Sequence, residues 1–194
     1  SKYNYVFRTA AHATMDNVGL IRYMKAKNIK METLSAINQD YAWGQDSRAD
    51  FVAAAQQLYP GVKVQTDLLP KFGAGQYGTE ISALVGAGSD VVYSSLWGGD
   101  LQAFILQSAP RGLPKRSQLV FSAADHVLPP LGDKMPDGTI IGARGANGVY
   151  APDNALNTWF RTAYTDRYSL PPVYPSYRMA QAILRPNVVD FIEI

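Results

Sequence analysis

Short apolar runs alternate with helical stretches along most of this chain. Residues 13–27 repeat apolar side chains at helical spacing: Val18, Ile21 and Met24 mark the stripe, and Leu20 and Tyr23 widen it. Residues 33–38 (Thr-Leu-Ser-Ala-Ile-Asn) then read as a strand. A second helix is expected over 45–59, with Phe51, Ala54, Ala55 and Leu58 on one face and a stop at Pro60-Gly61. Residues 62–69 alternate as a half-buried edge strand does. Residues 79–87 are helical and end near Gly88, and 90–96 form a buried strand. A helix over 100–109 stops at Pro110. Residues 119–123 and 139–143 supply the fourth and fifth strands. Two later helices follow, over 154–168 and 176–184, separated by the Pro171-Pro172-Val173-Tyr174-Pro175 break.

Strands that alternate with helices predict a parallel sheet covered on both faces. The fold class expected is α/β, a three-layer αβα doubly wound sheet in the flavodoxin-like order 2-1-3-4-5. No linker is evident before Tyr150, so residues 1–194 read as a single α/β domain.

Composition narrows the function classes. With 47% hydrophobic and 18% charged residues the chain is globular. Its net charge of +2 and scattered Lys and Arg give no basic stripe for nucleic acid. The tightest basic group, Pro114-Lys115-Arg116, reads as a solvated turn. The absence of cysteine removes disulfides, thiolate metal sites and cysteine nucleophiles. No run is long enough to span a membrane, and Ser1-Lys2-Tyr3-Asn4-Tyr5 has no apolar region of a signal peptide. These first residues read like the middle of a domain.

In an open parallel sheet, ligands bind beyond the carboxyl ends of the strands, where strand order reverses. With the expected order that point lies between the first and third strands. Tyr41 follows the first, Trp97 the third, and Asp125-His126 the fourth. Neighbouring strands lie about 4.8 Å apart, so Tyr41, Trp97 and Asp125 are expected along one rim within roughly 10 Å, partly exposed, with His126 close by. Two aromatic faces, a carboxylate and nearby helix N-termini suit a small zwitterion or an aromatic acid. The competing reading makes Tyr41 and Trp97 caps on the core; on the residues alone the two weigh equally.

Other motifs carry less. Gly73-Ala74-Gly75-Gln76-Tyr77-Gly78 matches G-x-G-x-x-G but follows the second strand, away from the switch point, and no acidic residue is placed to hold a ribose; glycine-rich helix entry is the simpler reading. No cofactor is therefore expected. His12 and His126 are the only histidines and lie far apart. No G-x-S-x-G elbow is present, so a small α/β hydrolase would have to rely on His126 beside Asp125. Asp40, Asp46 and Asp50 resemble a metal cluster only on paper. Asp46 fits as a first-turn acid and Asp50 lies opposite Phe51, so no metal is expected.

Tyr5-Val6-Phe7-Arg8-Thr9, Asp40-Tyr41-Ala42-Trp43-Gly44, Asp90-Val91-Val92-Tyr93 and residues 131–138, in this order, resemble segments of the periplasmic solute-binding proteins of branched-chain amino-acid ABC transporters, the type I periplasmic binding fold. The first is similar to their crossing from lobe one into lobe two, and the second to their D-Y-x-x-G motif. The third resembles their third strand, and residues 131–138 the loop before the return strand. Residues 155–168, then Pro172 and Tyr174-Pro175-Ser176-Tyr177, look like their next helix and its sequel. The likeness covers most of residues 3–184, and its specificity lies in the order and spacing of the segments.

The resemblance implies a clamp lobe, not an enzyme, that helps deliver a small amino-acid-like or aromatic-acid solute to a membrane permease from the bacterial periplasm. A ligand-sensing domain of a receptor or regulator with the same fold is the alternative. It implies ligand contacts at Tyr41 and Trp97, an amine-holding acid nearest Asp125 with His126 on the rim, and a further lining residue at Tyr177. The early half of lobe one has no counterpart, and residues 175–194 correspond to the return toward it. Arg185-Pro186-Asn187 breaks the helix expected there, and residues 188–194 read as a strand or a misfit end. A surface including Phe7, Tyr177 and residues 188–194 is accordingly expected to be exposed, apolar and open to self-association.

Overall fold

The computed structural model describes residues 11–145 and 147–184. They belong to two compact units. One is His12–Ala143; the other holds the remaining described residues.

The first unit carries one five-stranded sheet. Its strands are β1 (Thr33–Ile37), β2 (Lys63–Leu68), β3 (Val91–Ser94), β4 (Gln118–Phe121) and β5 (Ile140–Ile141). The order is β2-β1-β3-β4-β5 and every pairing is parallel, as the sequence rhythm predicts. Its helices are α1 (Ala13–Ala26), α2 (Ala42–Leu58), α3 (Gly78–Ala87), α4 (Gly98–Ser108) and the short α5 (Leu128–Leu131).

Side-chain alternation along the strands divides the core in two. Leu34 and Ala36 of β1, Val91 and Tyr93 of β3 and Val120 of β4 face one layer. There Leu20, Ile21 and Met24 of α1 and Phe51, Ala54 and Ala55 of α2 cover them. Ile37, Val92, Leu119 and Phe121 face the opposite layer, under Ile81 and Leu84 of α3 and Leu101, Phe104 and Ile105 of α4. The central strand β3 is buried along its whole length, which explains its unbroken apolar run. Tyr93 keeps its hydroxyl satisfied inside the core by donating to Asn17 Oδ1 at 2.7 Å, with its ring stacked on Phe51 at 3.8 Å.

The boundaries differ from the sequence expectation in informative places. α2 begins at Ala42 and α4 at Gly98, earlier than residues 45 and 100. Their N-caps are Tyr41 and Trp97, neither of which makes a side-chain capping bond, so the usual polar start signal is missing. α5 was not expected; its prolines occupy the first helical positions, where the lost N–H has no intrahelical partner anyway. β5 shrinks to two residues, the part of 139–143 that pairs with β4.

The second unit holds α6 (Ala155–Tyr168) and α7 (Tyr174–Leu184). Asn154 caps α6 by accepting the Asn157 N–H at 2.9 Å. Tyr177 of α7 is buried at 7% accessibility, with its ring 5.1 Å from Phe160. This corrects the expectation that Tyr177 contributes exposed apolar surface: an amphipathic helix turned that face inward. Phe7 and residues 188–194, the other parts of that expected surface, lie outside the described residues. Exposed apolar side chains of this unit include Leu156, Trp159, Met179 and Ile183.

Candidate functional site

The carboxyl ends of β1, β3 and β4 carry a buried polar layer. Asn38 follows β1 and accepts from both Ser95 N–H (2.8 Å) and Ser95 Oγ (2.7 Å) with its Oδ1. The Trp43 indole donates to the Ser95 carbonyl at 3.1 Å. Gln39 Nε2 donates to Asp100 Oδ2 at 2.6 Å, joining the β1–α2 loop to the first turn of α4. Buried polar groups need partners, and here the loops supply them to one another.

The D-Y-x-x-G motif acquires a physical reason in this layer. A Cβ on Gly44 would stand 1.9 Å from the Gln39 carbonyl oxygen, so only glycine lets α2 start this close to the strand end. That tight return leaves Tyr41 on extended backbone at the mouth of the turn.

Above the polar layer the aromatic rings meet. Trp97 is 43% exposed and its Nε1 donates to the Tyr41 hydroxyl at 2.8 Å. Phe72, 59% exposed in the β2–α3 loop, completes the group with ring centroids 5.6 Å from Tyr41 and 5.9 Å from Trp97. His126 joins the same rim: its Nε2 accepts the Gly98 N–H at 2.7 Å, directly after Trp97. Accepting through Nε2 places the proton of the neutral ring on Nδ1. Burial lowers the His126 pKa below its ordinary value, which favours this neutral form.

The structure thus brings Tyr41, Trp97 and His126 together as expected. Asp125 is adjacent in sequence but differs in exposure. It opens a 3-10 turn, Asp125–Val127, and only 7% of it is accessible, where a partly exposed carboxylate was expected. The 3-10 turn starts four residues beyond β4 and draws the Asp125 side chain beneath the surface. Tyr177 belongs to the second unit.

The glycine-rich segment is also explained. Gly73 and Gly75 have φ of +76° and +65°, which aim their amides at one point. That point is occupied by the Asp100 carboxylate, at 2.7 Å from Gly73 N and 3.2 Å from Gly75 N. A protein carboxylate thus takes the position a phosphate takes in a dinucleotide loop. Burial acts to raise the Asp100 pKa, but the polar groups facing it, the Tyr77 hydroxyl with the hydrogen-bonded Gly73, Gln39 and Gly75, outweigh it and hold the group below its usual value. The acids read as a paper metal cluster are dispersed in ordinary contacts: Asp40 accepts from Gln45 at 2.8 Å and Asp50 from Thr14 at 2.8 Å. No group of three potential metal ligands occurs among the described residues. Sequence reasoning did not single out Phe72 or Gln39 as site residues.

Comparison with known proteins adds the family. A sequence profile described as "periplasmic binding protein" matches residues 1–184, and the chain belongs to that family. No curated protein sequence matches it. Among solved structures, an ABC-transporter solute-binding protein from R. palustris in complex with benzoate superposes with a TM-score of 0.73 at 19% identity, over 91% of this chain and 47% of its own. One from Rhodopseudomonas palustris BisB5 in complex with 3,4-dihydroxybenzoic acid gives 0.72 at 20% identity, over 93% and 48%. The leucine-, isoleucine-, valine-, threonine- and alanine-binding protein from Brucella ovis, in its closed conformation, gives 0.70 at 21%, over 93% and 45%. At these identities the likeness is one of fold. The chain spans about half the length of these structures.

Proposed function

We propose that this chain supplies one lobe of the substrate-binding component of a bacterial ABC importer, working in the periplasm and passing a small amino-acid-like or aromatic-acid solute to a membrane permease. The observation that carries the reading is the pair of exposed Trp97 and half-buried Tyr41, hydrogen-bonded at 2.8 Å across the carboxyl ends of β3 and β1, where strand order reverses. The solutes named for the structural neighbours, benzoates and small amino acids, support the same classes.

In this reading Tyr41 and Trp97 cover the apolar part of the solute and His126 stands at its edge. Asp125 pairs with a ligand ammonium, and its burial makes that bond strong while requiring the ligand to penetrate the rim. The reading is one of binding and not catalysis: His126, the candidate base, has its acceptor nitrogen committed to the Gly98 amide.

A single wall buries far less of a solute than the 70–90% typical of a closed pocket. Each missing charge-assisted hydrogen bond forfeits about 1.5–3 kcal/mol, or roughly one to two powers of ten in affinity. Binding to this chain alone is therefore expected in the millimolar range or weaker. NMR titration with benzoate and with leucine tests this. Weak shifts centred on the Tyr41 ring and the Trp97 indole support the proposal. Shifts confined to other surfaces, or no response to either solute class, overturn it, and tight binding by a monomer overturns the single-wall account.

A further inference from the structure

Phe72 is the ring of the rim that has no strand to hold it, because it stands in the loop leaving the edge strand β2. The backbone of the β1–α2 loop and side chains of α4 hold that segment instead. On one side the Asp40 amide donates to the Pro70 carbonyl at 2.8 Å. On the other, Asp100 accepts the Gly73 and Gly75 amides at 2.7 and 3.2 Å. Gln107, further along α4, accepts the Tyr77 amide at 2.9 Å and donates to the Gly75 carbonyl at 2.9 Å. Phe72 is thus bracketed by Pro70 and Gly73, both pinned. Gln39, through its own bond to Asp100, ties that anchor to the loop bearing Tyr41.

We propose that Asp100 is a positioning residue that presents Phe72 beside Tyr41 and Trp97, and that the resulting three-ring wall selects planar aromatic acids over aliphatic amino acids. The selectivity rests on the rim being the solute site, as proposed above. Its physical basis is that ring pairs at these separations gain edge-to-face attraction beyond the area they cover, whereas an aliphatic chain gains area alone. The charged state of Asp100 is what the arrangement needs, because two backbone amides and an amide side chain all donate to it.

NMR on the whole chain tests both parts. Asp100→Asn keeps the size of the side chain but turns one acceptor into a donor facing the loop amides. The expected result is loss of the cross-peaks from the Phe72 ring to Tyr41 and Trp97, with the Tyr41–Trp97 contact kept. Retention of the Phe72 cross-peaks overturns the positioning role. Should Asp100→Asn fail to fold, Phe72→Leu decides, since that ring is exposed. In Phe72→Leu the preference for benzoate over leucine should fall about three- to tenfold, and Phe72→Tyr should keep it. An unchanged preference in Phe72→Leu overturns the selectivity. In the unaltered chain, solute shifts at Tyr41 and Trp97 with Phe72 unmoved overturn this inference alone. Absence of shifts at all three rings removes the rim reading along with it.

Discussion

At the amino ends of β1, β3 and β4 the chain closes on itself with small polar groups, whereas at their carboxyl ends a similar polar layer supports exposed rings. At the amino end, Asp90 accepts the Glu32 and Thr33 amides at 2.8 and 3.0 Å and the Thr33 hydroxyl at 3.1 Å. The Ser35 and Ser89 hydroxyls meet at 2.6 Å, and Ser117 Oγ donates to the Ser89 carbonyl at 2.7 Å. At the carboxyl end, Asp100 and Asn38 do the corresponding work, but Tyr41, Phe72 and Trp97 stand above them. Both ends use one carboxylate to gather the amides of a neighbouring segment. At the carboxyl end the rings form a contiguous cluster, a feature that scattered exposed side chains do not share. In the proposed reading, the difference separates the end that seals the domain from the end offered to a ligand.

The largest expected effect comes from forcing the carboxyl end apart. Gly44→Ala places a methyl group against the Gln39 carbonyl, and backbone cannot yield cheaply. A loss of about 3 kcal/mol is expected in urea denaturation, the upper end for overpacking. A loss below about 0.5 kcal/mol, typical of an ordinary surface change, would mean that the turn is slack. Asp100→Ala follows at about 2–3 kcal/mol, because it strands buried donors. Asp90→Ala should cost about 1 kcal/mol, since the Asp90 site is more open and water can replace the carboxylate. Equal losses at the two carboxylates would remove the contrast in burial between the ends.

Acid should also act in two steps, first at the carboxyl end alone and then at both ends. Burial lowers the His126 pKa, so the unfolded chain binds its proton first. His126 therefore contributes stability that is fully present above about pH 6.5 and declines as the pH falls below it. Protonation also puts a proton on the nitrogen that accepts the Gly98 amide. Burial acts to raise Asp90 and Asp100 too, but their hydrogen bonds outweigh it and both pKa values are lowered. Their contributions are present above about pH 3.9 and are lost as pH falls further. Urea midpoints from pH 8 to 3 should show two declines, and His126→Gln should flatten the first alone. A first decline that survives His126→Gln would assign it elsewhere.

Strand order was readable because β3 is apolar throughout and β2 is not, which distinguishes a centre from an edge. Tyr41 and Trp97 were readable for a topological reason: each is close behind a strand that flanks the switch point. The exposure of Asp125 was not, because a residue four beyond a strand can turn either way and a 3-10 turn took it inward. Nor was the role of the Gly73–Gly75 segment. Its glycines announce converging amides, but the acceptor comes from α4, and nothing local in the sequence pairs Gly73 with Asp100. Phe72 stayed hidden for the same reason, since bonds from residues distant in sequence fix the loop bearing it. Periodicity reports faces and order; it does not report which distant side chain completes a loop.

The two tryptophans near the rim give the smallest effects and the finest test of the layered arrangement. Trp43 belongs to the supporting layer: it is half-buried and its indole N–H goes to the Ser95 carbonyl at the end of β3. Trp43→Phe keeps the ring area but leaves that carbonyl short of a donor, for an expected loss of about 1 kcal/mol. Trp97 belongs to the exposed layer and donates to a hydroxyl that water can serve equally well. Trp97→Phe should therefore change stability by no more than about 0.5 kcal/mol. It should still release the Tyr41 hydroxyl, visible as a change in its ring shifts. Denaturation of the two variants side by side compares support with surface at nearly constant ring area. A larger loss in Trp97→Phe than in Trp43→Phe would make the exposed ring a structural member and return Tyr41 and Trp97 to the role of core caps.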